Sequence, residues 1–162
     1  MTLMGQMDAD KKLGNGESAI DPLSEDQLDQ RSIEYREYPH SALTQKIIAA
    51  FFKVYNTLGY GFLEKVYENA MVVELRSKGL DVKVQHPITV LYDGVQVGSY
   101  YADLFVEDQV IVELKAAEEI CEEHEYQLVN YLKATNKEIG LLLNFGTRPR
   151  VKRKIHTSYY QR

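Results

Sequence analysis

The sequence has one cysteine and no tryptophan among its 162 residues, and it has no long apolar run. The single cysteine, Cys121, excludes an internal disulfide, and no second cysteine or spaced histidine set accompanies it to form a zinc motif. No stretch approaches the roughly 20 apolar residues that a membrane-spanning helix needs. The N-terminus lacks a basic segment followed by an apolar core, so it does not resemble a secretory signal. These absences predict a soluble protein of a reducing compartment, the cytoplasm.

An excess of basic residues is also missing. The chain has 24 acidic and 19 basic residues, which give a formal net charge of -5. Residues 1–40 hold nine of the acids and four of the bases, so residues 41–162 are neutral as a whole. The first segment is poor in aromatic residues and lacks apolar periodicity, which predicts a disordered acidic arm. Residues 41–162 have regular apolar patterns and are long enough to enclose the core of one domain.

Two helices and a strand meander are predicted in the first half of this domain. Apolar residues recur at helical spacing over residues 41–58 and again over residues 62–78, with two glycines between the two segments. Asp93-Gly94 is a strong hairpin signal between the first two strands. The predicted strands of the antiparallel meander are residues 81–92 with an interruption at Pro87, residues 95–106 and residues 110–115.

The second half of the domain predicts a pair of parallel strands. Residues 122–135 follow a helical pattern, and residues 140–145 form a short, wholly apolar strand apart from one asparagine. A strand, a helix and a strand in this order imply a parallel pairing with residues 110–115 through a right-handed crossover. The predicted fold is therefore an α/β (mixed α+β) domain with one mixed sheet.

Charged side chains stand at the end of the most apolar strand of the predicted meander. Side chains alternate along a strand, so Glu113 and Lys115 point to the same face. The turn at residues 107–109 folds Asp103 of the preceding strand back towards Glu113. Burying charge is costly unless it is paired or bound to a cation. These residues therefore form either a structural ion pair or a metal site with a lysine beside it.

Two of the predicted helices carry further polar candidates. Glu64 lies in the first turn of the second helix, where it either complements the helix dipole or reaches the site of Asp103 and Glu113. Gln127 and Tyr131 share one face of the third helix because they are four residues apart. They either hydrogen-bond into the site or form the edge and core of an ordinary amphipathic helix.

Four segments in this order resemble one known family. They are Gly61-Phe-Leu-Glu64-Lys-Val-Tyr67, Asp103-Leu104, Val112-Glu-Leu-Lys115 and Gln127-Leu-Val-Asn-Tyr-Leu132. The chain resembles the PD-(D/E)XK nuclease superfamily, and the first segment is similar to the signature of its small GxxExxY family. The similarity covers residues 41–155 approximately. It implies a restriction-endonuclease-like core.

The resemblance implies a role for each candidate residue. Asp103 and Glu113 would bind a divalent metal ion, usually Mg²⁺ with Mn²⁺ as a substitute, and Glu64 would help to hold it. Lys115 would position or activate the attacking water and stabilise the developing phosphate charge. One departure from the superfamily pattern is Ala102, which stands where proline usually precedes the aspartate.

The resemblance also implies a nucleic-acid partner, with DNA favoured over RNA. Gln127 and Tyr131 match the additional helix motif of RecB-like nucleases. Non-specific binding to nucleic acid depends on the neutralisation of phosphates, and the basic end of the chain is the predicted contact. Its residues are Arg148, Arg150, Lys152, Arg153 and Lys154. The alternatives are a catalytically silent binding or interaction module with this fold, and a scaffold in which Glu113 and Lys115 are only an ion pair.

Overall fold

The computed structural model describes residues 40–157 of the chain. The helices are α1 Ser41–Leu58, α2 Glu64–Ser77 and α3 Glu122–Thr135. The strands are β1 Val82–Tyr92, β2 Val95–Val106, β3 Val110–Lys115, β4 Ile139–Phe145 and β5 Pro149–Ile155. The predicted disordered arm of residues 1–40 lies outside the described residues, except for His40. Within the described range, no helix is both long and apolar enough to cross a membrane.

The five strands form one mixed sheet in the order β1-β2-β3-β4-β5. β3 and β4 are parallel, with Val110 opposite Ile139, and the other neighbouring strands are antiparallel. Parallel strands need a long crossover connection, which α3 supplies. The predicted α/β fold class, the meander and the crossover helix are therefore confirmed.

Helices cover both faces of the sheet. On one face, Phe51 of α1 lies in the same apolar cluster as Val112 of β3. On the other face, Leu128 of α3 lies in a second cluster with Ile111. Because alternate residues of β3 face opposite layers, Glu113 points to the α3 side together with Ile111. β3 and β4 are buried on both faces, which explains their nearly continuous apolar sequences.

β1 is one continuous strand, so the predicted interruption at Pro87 is wrong. Pro87 lies opposite Tyr101 on an edge strand, where a missing backbone N–H is tolerated. The irregular position is Gln85, which has a left-handed φ of 50° and is absent from the ladder between β1 and β2. This backbone conformation is uncommon for a residue with a side chain, and it occurs beside the candidate site.

β5 is an addition to the predicted fold. The sequence indicated only a basic end there, whereas the structure has an edge strand antiparallel to β4, with Phe145 opposite Pro149. The basic side chains of this segment are therefore held at fixed positions along a strand.

Candidate metal and phosphate site

The candidate site lies where β2 and β3 separate. The two strands pair over three positions, from Val106 opposite Val110 to Leu104 opposite Val112. Beyond this point, the backbone N–H of Leu114 donates a hydrogen bond to Oδ2 of Asp103 at 2.7 Å. A buried backbone donor needs an acceptor, and the Asp103 side chain provides it where the ladder ends. This hydrogen bond fixes the Asp103 carboxylate beside the end of β3.

Glu113 is the most deeply buried charged residue of the site. Its side chain is 4% exposed, and its Oε1 lies 3.8 Å from Nζ of Lys115. Its Oε2 is buried and has no hydrogen-bond partner in residues 40–157. Burial, followed by repulsion from Asp103, raises the pKa of Glu113 to about 8, although Lys115 acts in the opposite direction. The ion pair that the sequence left as one alternative is thus present, and it lies beside Asp103, while the metal site stays a prediction.

Glu64 approaches the same end of β3 from α2. It is the first residue of that helix, it is exposed, and its Oε2 accepts a hydrogen bond from the backbone N–H of Ala116 at 3.4 Å. Its charge is among those that raise the pKa of Glu113. Glu64 therefore lies at the exposed edge of the site.

The loop before α2 is held by Tyr67. The Tyr67 ring stacks on Phe145 with a centroid distance of 4.2 Å, and its hydroxyl donates to the carbonyl of Gly59 at 2.8 Å. Gly61 in this loop has a φ of 105°, a conformation that glycine adopts without steric cost. Gly61 and Tyr67 therefore have a structural role, which is to set the position of Glu64.

Gln127 and Tyr131 join the site from α3. Nε2 of Gln127 donates a hydrogen bond to the Tyr131 hydroxyl at 2.6 Å. Burial raises the pKa of Tyr131, and the charges of Glu113 and Asp103 raise it further, while the bond from Gln127 lowers it. The strand alternation that directs Glu113 to the α3 layer brings it to the same side as this pair. This hydrogen bond joins the two residues to each other, and Tyr131 packs in the apolar cluster of the α3 layer, so their hydrogen bonding into the site stays a prediction.

Asn144 fixes the chain that follows Lys115. It lies opposite Lys115 in the parallel ladder and is fully buried. Its amide donates to the carbonyl of Ala117 at 2.9 Å and accepts from the backbone N–H of the same residue at 3.0 Å. A side chain at Gly146 would overlap the Ala117 carbonyl, so the turn after β4 also packs tightly here. Together these contacts fix the direction of the chain where it leaves β3.

Two residues that were not predicted also belong to the site. The Glu68 side chain is 6% exposed, and its Oε2 accepts a hydrogen bond from Nε2 of Gln85 at 2.7 Å. The same Gln85 amide donates to Oδ1 of Asp103 at 3.3 Å. Glu68 also forms an ion pair with Lys65. Gln85 thus bridges two carboxylates, and both oxygens of Asp103 have donors.

Replacing Glu68 by glutamine is expected to lower the pKa of Asp103. Burial raises that pKa first, and repulsion from Glu68 raises it further, against the hydrogen bond from Leu114. Removing the Glu68 charge removes one of the causes of the increase. The measurement is an NMR titration of the Asp103 carboxyl carbon in metal-free protein. Glu74→Gln is the matched control, because Glu74 lies on the same helix but pairs with Lys53 and Lys78 instead. An Asp103 titration that is identical in both variants would contradict the expectation.

The basic side chains of β5 point to different sides of the strand. Nζ of Lys152 lies 3.5 Å from Oε1 of Glu125, and Lys154 pairs with the other oxygen of the same carboxylate. Arg153 points towards α1, where its guanidinium donates to the Thr44 hydroxyl at 3.2 Å. These three predicted phosphate contacts already have protein partners.

Arg148 and Arg150 stand closer to the chain that leaves the site. Both are exposed, and they line an open cavity of about 540 Å³ together with Glu118 and Glu119. These two glutamates follow Lys115 by only a few residues. Lys152 lines the same cavity, and Arg150 lies opposite Asn144, which in turn lies opposite Lys115 at the end of β3.

The donor set fits a hard divalent cation. In the part of the chain that the structure describes, no three His, Cys, Asp or Glu side chains are close enough to hold a metal ion by themselves. Mg²⁺ is usually bound by one or two carboxylates, and it keeps several waters and takes substrate phosphates as its other ligands. Asp103 and Glu113 supply two carboxylates, and among residues 40–157 no donor reaches the buried Oε2 of Glu113. The residues present therefore suit Mg²⁺ or Mn²⁺, with Glu64 at the edge.

The two carboxylates and the lysine lie where two strands of a mixed sheet separate. The family model of the PD-(D/E)XK nuclease superfamily matches residues 41–156. The chain belongs to this superfamily, whose nucleases generally use divalent metal ions.

The chain is also similar to a solved structure, that of SSO0001. The two are 16% identical with a TM-score of 0.46, and the similarity covers 78% of this chain and 61% of that chain. This chain thus spans less than two thirds of that protein. A search of curated proteins finds no match.

Proposed function

We propose that this chain is a divalent-metal-dependent nuclease of the GxxExxY family, which acts in the cytoplasm on phosphodiester bonds of DNA in preference to RNA. The proposal rests above all on Glu113, a buried carboxylate beside Asp103 and 3.8 Å from Lys115. A buried charge without full hydrogen bonding destabilises a fold, and a bound cation offsets that cost. The 61–67 segment, which positions Glu64, supports the family assignment.

The roles of the side chains follow from their chemistry. A bound divalent ion supplies Lewis acidity and lowers the pKa of a coordinated water. Asp103 and Glu113 hold the ion as oxygen ligands. Lys115 has no lone pair to offer while it is charged, so it acts on the water or on the phosphate oxygens. The Tyr131 hydroxyl, which is oriented by Gln127, donates to the substrate.

Nucleic acid would approach across the end of β3. Arg148 and Arg150 are exposed and carry the phosphate contacts in this proposal. Lys152 and Lys154 share Glu125 as their partner, so a phosphate competes with that carboxylate for them. Arg153 contributes least, because it is directed towards α1.

A catalytically silent module with the same fold is the second candidate. It is favoured by the neutral overall charge of residues 41–162 and by the pairing of two β5 lysines with Glu125. Such a module would bind a partner at the site without hydrolysis.

The two candidates are separated by a cleavage assay on labelled single- and double-stranded DNA and RNA, in Mg²⁺ and then in Mn²⁺. The wild type is expected to cut at least one of the substrates, with DNA cut faster than RNA. Asp103→Asn is expected to be inactive, because asparagine keeps an acceptor for Leu114 but loses the ligand charge. Equal cleavage by the two proteins would point to a contaminating nuclease. Binding without cleavage in either ion would favour the silent module.

A further inference from the structure

A second cavity opens between α3 and the hairpin of β1 and β2. Its volume is about 780 Å³, which lies in the range of small-molecule sites. The hairpin contributes Leu91 and Tyr100 to its lining, and α3 contributes Tyr126 and Asn130. None of these residues has a role in the metal and phosphate site.

The cavity and the candidate active site lie on the same face of the sheet, the one that α3 covers. Gln127 and Tyr131 line the cavity, and the Tyr131 ring lies 5.8 Å from the ring of Tyr100. Tyr131 also lies in the apolar cluster of Ile111, the residue of β3 whose side chain faces the same layer as Glu113. A group that occupies the cavity is therefore on the side of the sheet to which the Glu113 carboxylate points.

The lining of the cavity fits a flat and uncharged occupant. Tyr100 and Tyr126 are 51% and 63% exposed, so their rings are available as stacking surfaces. The amides of Gln127 and Asn130 offer both donors and acceptors. Among the described residues, one acidic and one basic side chain line the cavity, so these give it no net charge to attract a phosphate. An aromatic ring system with a hydrogen-bonding edge matches all three features.

We propose that this cavity is a subsite for one unpaired nucleobase of the substrate, next to the phosphate that is cleaved. The proposal rests on the nuclease function proposed above and specifies its substrate. A base enters the cavity only when it is unstacked, as in a single strand, at a frayed end or at a flipped position. The enzyme therefore acts at nucleotides that are not base-paired.

The test compares an oligothymidylate with an abasic oligomer of the same length, so that the two ligands differ only in their bases. Binding to fluorescently labelled forms is measured at low salt with a chelator, which prevents cleavage. The wild type is expected to prefer the oligothymidylate by roughly 5- to 150-fold, the range of one base stacked on an aromatic ring. Tyr126→Ala is expected to lose most of that preference and to bind the abasic oligomer as the wild type does.

Three further variants serve as controls. Tyr126→Phe keeps the ring and is expected to keep the preference. Tyr92→Ala, at the exposed tip of the hairpin, is expected to behave as the wild type does. Asn130→Ala is expected to weaken only the oligothymidylate complex, because it removes an amide that hydrogen-bonds to the base. Asn130 is exposed, so the substitution leaves the core unchanged.

The outcomes separate this proposal from the nuclease proposal. If Tyr126→Ala weakens both oligomers equally, or neither of them, the base subsite is wrong while cleavage of DNA still supports the nuclease. If the wild type cleaves DNA but binds the two oligomers equally, only the subsite fails. If the wild type neither binds nor cleaves any nucleic acid, both proposals fail.

Discussion

Lys115→Ala is expected to slow phosphodiester cleavage about 100- to 1,000-fold, the effect of removing one donor that is directed at transition-state charge. It is expected to leave metal affinity nearly unchanged, because an ammonium group does not ligate a cation. Lys115 lowers the pKa of Glu113, so its removal raises that pKa above about 8, and metal affinity is compared as a function of pH in both proteins. Single-turnover cleavage and calorimetric titration with Mg²⁺ are the measurements.

Two further variants make this result specific. Lys53→Ala removes an exposed lysine that is paired with Glu74 on the α1 and α2 side, and it is expected to cleave at the wild-type rate. Gln127→Ala is expected to have a smaller effect than Lys115→Ala, because its amide orients Tyr131 and carries no charge. A Lys115→Ala protein that lost metal binding and cleavage together would show that Lys115 acts mainly by holding Glu113.

The second large effect concerns stability without metal. The free energy of unfolding is expected to fall as the pH rises from about 4.5 to about 8, because Glu113 ionises near 4.5 in the unfolded chain and near 8 in the folded one. Stability from this group is complete below the lower value and is lost as the pH passes through the higher value. The loss is on the order of 3–5 kcal/mol. Denaturant melts in a chelator at several pH values measure it.

Glu113→Gln isolates the contribution of this one group. The variant is expected to be more stable than the wild type near about pH 8 in a chelator and to have a flatter pH profile. Millimolar Mg²⁺ or Mn²⁺ is expected to raise the melting temperature of the wild type but not of the variant, since a ligand that binds only the folded state stabilises it. Glu74→Gln is the control, because this carboxylate is paired with lysines away from the site. Parallel pH profiles for wild type and Glu113→Gln would contradict the burial argument.

The fold was predictable where local signals agree with one another. Asp93 and Gly94 both have positive φ, which is what the predicted two-residue hairpin requires, and the strands on either side follow from it. The charges at Asp103, Glu113 and Lys115 were predictable as a cluster because strand alternation and one short turn determine their positions. Local patterns of this kind need no knowledge of distant contacts.

β5 was not predicted, because its many basic residues leave little of the apolar–polar alternation that indicates a strand. Val151 alternates with exposed basic residues on an edge strand, so only a narrow apolar column remains to signal a strand. Lys152 and Lys154 are far from Glu125 in sequence, and no local pattern in either segment predicts their pairing. The sequence showed the charge of this end but not its partners.

Glu68 was missed although its helix carries a signal. It occupies the buried stripe of α2 together with Met71 and Leu75, at a position where an apolar residue is expected. A carboxylate in such a stripe indicates a buried polar network. Its bridge to Asp103 through Gln85 depends on the irregular backbone of β1, which no local pattern predicts.

The hydrogen bond from Leu114 to Asp103 also bears on how such a site is lost during evolution. An Asp103→Ala change would remove the ligand and leave a backbone donor of the central sheet without its acceptor, so activity and folding would suffer together. Asp103→Asn keeps the acceptor and abolishes only the charge. Descendants that abandon catalysis but retain the fold are therefore expected to carry asparagine here more often than alanine. The residue at position 103 of a catalytically silent relative would therefore indicate whether the fold was retained for another use.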